Sequence, residues 1–307
     1  MLRFRFAGAS DEGLVRPHNE DAGYAGPYLL LVADGVGGSA AGEVAAASTA
    51  YVVTSAATMS EVDDPIELLT TAVKMAHEHL VRGCADEPSR RGMSTTLTAL
   101  LCDGRRVGMV HLGDSRAYRW RSGELTQLSR DHTLVQALID GGELTVEDAI
   151  SYPHRSVIMR SMDGETDPDP DTSWIEIEVG DRLMVCSDGL SDLVSDDDIA
   201  TLLAGPPAPG DGLDGQAAAT SDRDGDRVDL DWAVDSLVDA ALAAGGRDNI
   251  TCIVGEVTEG PLTRPLGRPL GAFTPPNLID GTVVRVVHTE GGRTVRLDVD
   301  SPEAVER

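Results

Sequence analysis

The chain has 307 residues, 41 % of them hydrophobic and 25 % charged, and only 4 % aromatic. That length suits one large domain or two modest ones, with a core built from Val, Leu, Ile and Ala. A formal charge of −27 excludes nonspecific binding to nucleic acid or to anionic membranes, both of which need a basic surface.

The first residues, Met1-Leu2-Arg3-Phe4-Arg5-Phe6, lack the long apolar segment of a signal peptide. No run approaches the roughly 18 apolar residues of a membrane span, so a soluble chain is expected. Leu29-Leu30-Leu31-Val32-Ala33 is a short, wholly apolar run, the pattern of a strand buried on both faces. Residues 42–57 are Ala-rich and read as a helix. Residues 65–82 read as a second one, opening on Pro65 and carrying Ile66, Leu69, Val73 and Leu80 at helical spacing. Strands are predicted over 107–112, 182–186 and 250–254, and a hairpin over 118–128 turning at Ser122-Gly123.

Ser195-Asp196-Asp197-Asp198 is an acidic start for a helix over 199–203. Residues 205–230 are rich in Gly, Asp and Ala without an apolar period, so a solvated, mobile insertion is expected there. Alternating carboxylates in Asp222-Arg223-Asp224-Gly225-Asp226 suggest a calcium loop, but the required glycine and distal Glu spacing do not follow. A helix resumes over 231–244, with Val234, Leu237, Val238 and Leu242 on one side. Residues 258–276 read as a Pro/Gly linker. Residues 277–307 read as a tail in which 282–287 and 294–299 flank Gly291-Gly292 as a hairpin. Strands that follow one another directly favour packed antiparallel sheets with covering helices over a doubly wound parallel sheet.

Cys84, Cys102, Cys186 and Cys252 stand singly, which rules out zinc-ribbon and thioredoxin-like motifs. Isolated cysteines in apolar runs are core residues, so no disulfide is implied and a reducing cytoplasm is expected.

Most of the aspartates read as caps or surface solubilisers, and each one alone reads as a turn former. Four differ in position. Asp34 follows the strand at 29–33, Asp114 the strand at 107–112 and Asp188 the strand at 182–186, while Asp248 precedes the strand at 250–254. Strand ends at one edge of a layered fold lie close together, and several carboxylates in a partly desolvated cleft repel unless protons or cations intervene. Oxygen-only ligands favour Mg²⁺ or Mn²⁺ over zinc or copper. Upstream stands Arg16-Pro17-His18-Asn19-Glu20-Asp21, an Arg with a fork suited to phosphate oxygens and two acids able to hold metal-bound water.

Arg16-Pro17-His18-Asn19-Glu20-Asp21, Val32-Ala33-Asp34-Gly35-Val36-Gly37-Gly38, Gly92-Met93-Ser94-Thr95-Thr96, Gly113-Asp114-Ser115-Arg116, Ser187-Asp188-Gly189 and Gly246-Arg247-Asp248-Asn249-Ile250-Thr251 follow one another in a set order. That order and approximate spacing resemble the metal-dependent Ser/Thr protein phosphatases of type 2C. Ser129-Arg130-Asp131-His132-Thr133 also resembles the segment leading into that family's flap, in its bacterial branch.

The resemblance implies an α+β fold, a four-layer αββα sandwich of two antiparallel sheets flanked by helices, with residues 1–257 as the catalytic domain. It implies a centre of two tightly held Mn²⁺ or Mg²⁺ ions. Asp34 would bridge them, the Gly35 carbonyl and Glu20 would serve one, Asp188 and Asp248 the other, and Asp21 would act through water. Asp114 with Asp188 would form a third, weaker site, and Arg16 would clamp the substrate phosphate. Val36 stands where eukaryotic relatives often carry a His proposed to protonate the leaving oxygen, so no general acid is named.

The activity implied is hydrolysis of phosphoserine and phosphothreonine on proteins by a metal-activated water, opposing a Ser/Thr kinase. Phosphorylated proteins, the kinase among them, are the expected partners of a cytoplasmic monomer that binds no nucleic acid. The alternative is a catalytically silent phosphoprotein-binding or sensing module of the same fold, which loss of a metal ligand would favour. The acidic surface predicts a preference for phosphosites in basic or neutral contexts. His132 and His154 bracket the flap, and both read as loop residues with a lesser prospect of touching substrate.

Overall fold

Alternation along the strands sets the layering. In the segment Arg182–Cys186, Leu183 and Val185 point one way and Met184 and Cys186 the other, and all four are fully buried. A strand hidden on both faces must lie between a second sheet and a helix layer. The computed structural model describes residues 1–36, 41–59, 62–149, 152–206, 228–261 and 267–279, together with the backbone of 283–288 and 295–300.

In chain order the elements are β1 (Leu2–Asp11), β2 (Ala22–Ala25), β3 (Leu29–Ala33), β4 (Gly35–Val36), α1 (Gly42–Met59), α2 (Pro65–Asp86), β5 (Ser94–Thr95), β6 (Leu97–Cys102), β7 (Val107–Leu112), β8 (Arg116–Arg121) and β9 (Glu124–Gln127). Then come α3 (Leu134–Asp140), α4 (Val146–Ala149), β10 (Met162–Asp163), β11 (Asp171–Ile175), β12 (Arg182–Cys186), α5 (Asp188–Ser191), α6 (Asp196–Ala204), α7 (Leu230–Ala243), β13 (Ile250–Glu259), β14 (Arg268–Gly271), β15 (Val283–His288) and β16 (Val295–Asp300).

Two large antiparallel sheets result, a five-stranded one in the order β1-β13-β12-β8-β9 and a six-stranded one in the order β11-β7-β6-β3-β2-β14. Phe4, Leu183, Val185 and Ile253 of the first meet Leu30, Val32, Leu100 and Met109 of the second to form the core between them. Leu29, Leu31, Leu97 and Leu101 face the opposite way and pack under α1 and α2, while Met184, Cys252 and Val254 pack under α6 and α7. The four layers are αββα, the architecture the resemblance implies. Gly255 lets the sheets approach: a Cβ there would lie 2.7 Å from Leu30 Cδ1 and 3.1 Å from Phe4 Cγ.

Part of the aspartate surplus is spent on helix starts. Asp64 accepts from the Ile66 and Glu67 amides at the head of α2, and Asp229 from those of Asp231 and Trp232 at the head of α7. Ser195 caps α6, accepting from the Asp198 amide at 3.2 Å.

The structure departs from the sequence reading at its edges. β1, for which the sequence reading offered no strand, pairs with β13 over ten residues, from Leu2↔Glu259 to Asp11↔Ile250, so β13 outruns the predicted 250–254. Its arginines hid the pattern: Arg5 reaches over the sheet to the Glu256 carboxylate and the Val228 carbonyl. Residues 268–271, inside the stretch read as a linker, form the edge strand β14 against β2, with Leu270 buried between the sheets. The expected insertion lies almost wholly outside the described residues, as does the Gly291-Gly292 turn. The strands of the expected tail hairpin pair antiparallel from Val283↔Asp300 to His288↔Val295. Among the described residues no helix is long and apolar enough to cross a membrane.

Leu30 is fully buried between the sheets, with Gly255 packed against it. Leu30→Ala is expected to destabilise the chain by about 2–5 kcal/mol, read as a lower midpoint in urea unfolding.

Candidate active site

In antiparallel sheets the end of one strand lies beside the start of its neighbour. The ends of β3, β7 and β12 and the starts of β2, β8 and β13 therefore share one edge of the sandwich. That edge delivers Asp34, Asp114, Asp188 and Asp248 to a single cleft of about 290 Å³, together with Arg16, Glu20 and Gly35. Asp21 lies beneath it, fully buried, and its Oδ2 accepts from Ser187 Oγ at 2.7 Å.

Local hydrogen bonds hold each contributor. Asp34 is gripped through its backbone: its amide donates to Thr96 Oγ1 at 2.9 Å, and its carbonyl accepts from Thr95 Oγ1 and the Thr96 amide, each at 2.8 Å. Thr96 Oγ1 lies 2.6 Å from Ser115 Oγ, which ties the Asp34 corner to the turn bearing Asp114. Gly189 allows the Asp188 and Asp248 corners to meet, because a Cβ there would fall 2.0 Å from the Asn249 carbonyl oxygen. Asn249 uses all of its amide. Its Oδ1 accepts from the Glu20 amide at 2.8 Å, and its Nδ2 donates to the carbonyls of Glu12 at 3.0 Å and His18 at 2.9 Å. The loop carrying Arg16 and Glu20 is thereby fixed to the residue beside Asp248.

These carboxyls are crowded. Burial first, then the charges of Asp21, Asp188, Asp114 and Asp248, hold the Asp34 carboxyl well above the usual carboxylate range. Burial and Asp248 push Asp188 up to about 6, while a hydrogen bond with the Asp34 side chain pulls the other way. Burial drives Asp21 to about 7 and, with Asp188 next, Asp114 to about 8. Among the described residues the buried Asp21 Oδ1 has no hydrogen-bond partner. Only a proton or a hard cation can sit among such oxygens at neutral pH. Arg16 Nη2 meets Asp248 Oδ2 at 2.7 Å, and Arg155 Nη2 meets Asp192 Oδ2 at 3.1 Å across the mouth. Among the described residues no group of three or more Asp, Glu, His or Cys side chains is arranged to hold a metal ion. Asp248 is engaged by Arg16.

The profile of the protein phosphatase 2C family matches residues 18–205. The chain belongs to the protein phosphatase 2C family. It is 42 % identical over 262 residues to the serine/threonine protein phosphatase PstP of Mycobacterium tuberculosis, a match covering 84 % of this chain and 46 % of PstP, so it spans about half the length of that relative. It is 31 % identical over 261 residues to the protein phosphatase PhpP of Streptococcus pneumoniae, covering 81 % of this chain and 96 % of PhpP. The crystal structure of the PstP catalytic domain in complex with two manganese ions superposes with a TM-score of 0.72 at 39 % identity, over 84 % of this chain and all of that one.

Asn249 and the Thr95-Thr96 pair, which lie within the motifs that carry the resemblance, each hold an acidic corner in place. A clue for Asn249 is its chemistry, since an amide beside a cleft carboxylate can donate and accept at once. His132 does not face the cleft. It is buried, its Nδ1 accepts from the Gly113 amide at 3.1 Å, and its Nε2 donates to Asp171 Oδ2 at 3.1 Å, so it supports the turn before Asp114. His18 and His154 are exposed.

Asn249→Ala removes three hydrogen bonds to the 12–20 loop. It should cost about 1–3 kcal/mol and raise amide hydrogen exchange at Glu20. Asp188, Asp21 and Asp114 all take up protons more readily folded than unfolded, so the folded chain binds the excess between the ordinary 3.8 and their raised values. Stability of chelator-treated protein should therefore fall as pH rises from about 4 towards about 8, and Asp188→Asn should flatten that fall in thermal melts.

Proposed function

We propose that this chain hydrolyses phosphoserine and phosphothreonine on proteins with the help of two Mn²⁺ or Mg²⁺ ions. The observation that carries the reading is the meeting of Asp34, Asp188 and Asp248 with Arg16 in one cleft. Membership of the family, the names of the bacterial relatives and the two manganese ions of the PstP structure support it.

The donor set fits a hard divalent cation: every candidate atom is a carboxylate or carbonyl oxygen, and a buried Asp21 oxygen has no partner among the described residues. Asp34 would serve both ions, Gly35 and Glu20 one of them, and Asp188 and Asp248 the other. Asp21 would act through water, and Asp114 with Asp188 would hold a third ion more weakly. When bound, such ions supply a water acidic enough to act as a nucleophile near neutral pH and positive charge to set against a phosphate.

The remaining tasks fall to the chain. Arg16, half-exposed at the rim and oriented by Asp248, binds the phosphate oxygens through its fork. Val36 lines the cleft and has no proton to give the leaving serine or threonine oxygen. Thiol nucleophiles are disfavoured: Cys102, Cys186 and Cys252 are buried, which pushes Cys102 up to about 11 and Cys186 up to about 12.

The catalytic unit is residues 1–257, with β14 completing its sheet. Free cysteines support a reducing cytoplasm as its place of work. A Ser/Thr kinase must supply the phosphoesters it consumes.

Asp34→Asn and Asp188→Asn should each lower Mn²⁺-dependent hydrolysis of an aryl phosphate by more than about a hundredfold, while the circular-dichroism spectrum is kept. Chelation of the wild type should abolish turnover. Near-normal rates in either variant would remove the assignment.

A further inference from the structure

Residues 267–279, inside or just beyond the stretch that the sequence presents as a linker, are held far more firmly than a linker needs. Leu270 is buried between the sheets, and Phe273 meets Tyr51 of α1 edge-on at 6.4 Å. Ile279 is buried in the cluster under α1 and α2, and its amide donates to Ser48 Oγ at 3.2 Å. At the other end the Gly267 amide donates to the Tyr24 hydroxyl at 2.9 Å. The segment is clipped to the body at both ends.

What it touches in its middle is the backbone of Asp21. β14 pairs with β2 as far as Gly271↔Ala22, and the next amide, that of Ala272, donates to the Asp21 carbonyl at 2.6 Å. Gly271 takes a φ of +60°, and a Cβ there would run into that same carbonyl oxygen and lie 2.7 Å from Ser10 Oγ. Only glycine lets the two backbones come so near. Asn277 Nδ2 donates to the Ala272 carbonyl at 2.9 Å and so holds the turn in shape. From the other side, the Asp21 amide donates to Asn19 Oδ1 at 3.0 Å, and its carboxylate accepts from Ser187.

Covering the outer edge of β2 requires nothing beyond β14. The inward turn at Gly271-Ala272 goes further, because it fixes the main chain of a fully buried acid that lies directly beneath the cleft. Contacts that support a metal site from behind matter to it: losing one typically costs about 10–100-fold in affinity. We propose that residues 267–279 are a positioning clip for Asp21, through which Gly271 and Ala272 set the affinity of the cleft for its divalent ions. The ions rest on the metal-dependent reading above; the clip rests on its own contacts.

The test titrates the chelator-treated 307-residue chain with Mn²⁺ alone. Unbound Mn²⁺ is read by electron paramagnetic resonance, and stability by thermal melts. Gly271→Ala should weaken Mn²⁺ binding by about tenfold. Asn277→Ala frees the Ala272 carbonyl without crowding any backbone and should weaken binding by roughly threefold, which decides the matter should Gly271→Ala fail to fold. Gly123→Ala is the control. Gly123 takes a φ of +92° in the turn between β8 and β9, with nothing within 4 Å of an added Cβ, so the substitution strains the backbone away from the clip. Its melting temperature should fall while its Mn²⁺ affinity stays that of the wild type. Unchanged affinity in the folded clip variants, or an equal loss in Gly123→Ala, overturns the clip and leaves the metal-dependent reading standing. A wild-type chain that binds no Mn²⁺ overturns both.

Discussion

Carboxylates from both ends of the chain are forced together at one desolvated edge, and their mutual repulsion is the constraint on which the rest of the structure depends. Burial and neighbouring carboxylates hold the Asp34 carboxyl well above the usual range and push Asp188 up to about 6, so ionising both is unfavourable. A fold that keeps them there must hold its corners by other means. It does so through backbone, with Thr95 and Thr96 gripping Asp34, Ser187 held under Asp21, and Asn249 pinning the loop that carries Glu20. Of these bonds only the one from Ser187 engages a carboxylate, so the Asp34 and Glu20 corners are set in advance of whatever neutralises the acids.

The sandwich makes this affordable. Strands β3, β12 and β13 are buried on both faces, and their apolar alternation fixes register, since a slip of one residue would turn Leu183 and Val185 from the inter-sheet core to the helix side. A fixed register fixes where each strand ends, and each end carries an acid. Packing at the centre and chemistry at the edge are thus one specification written in the same residues.

Much of this was legible in the sequence because each acid abuts a wholly apolar run, and a run with no polar face leaves little choice of layer. The helices at 42–59 and 65–86 and the hairpin of β8 with β9 were legible for related reasons of spacing and turn chemistry. What escaped was set by tertiary contact. In β1, Arg3 and Arg5 interrupt the apolar pattern, and only the partner β13, with Glu256 waiting for Arg5, shows why arginines belong in a strand. β14 was hidden by its Pro and Gly, residues an edge strand tolerates because one side of its backbone needs no partner. Asn249 and His132 act on backbone groups distant in sequence or behind the cleft, and of the two only Asn249, beside Asp248, carries a local clue.

The pairing of β1 with β13 has a consequence for biogenesis. Leu2 finds its place opposite Glu259, so at roughly 5–20 residues per second of synthesis the first strand waits on the order of tens of seconds for its mate to leave the ribosome. Asp248 emerges with that mate. A nascent polypeptide halted anywhere earlier lacks both the outer half of a sheet and the last acid of the cleft, so the cleft is assembled only when the folding of this chain is complete.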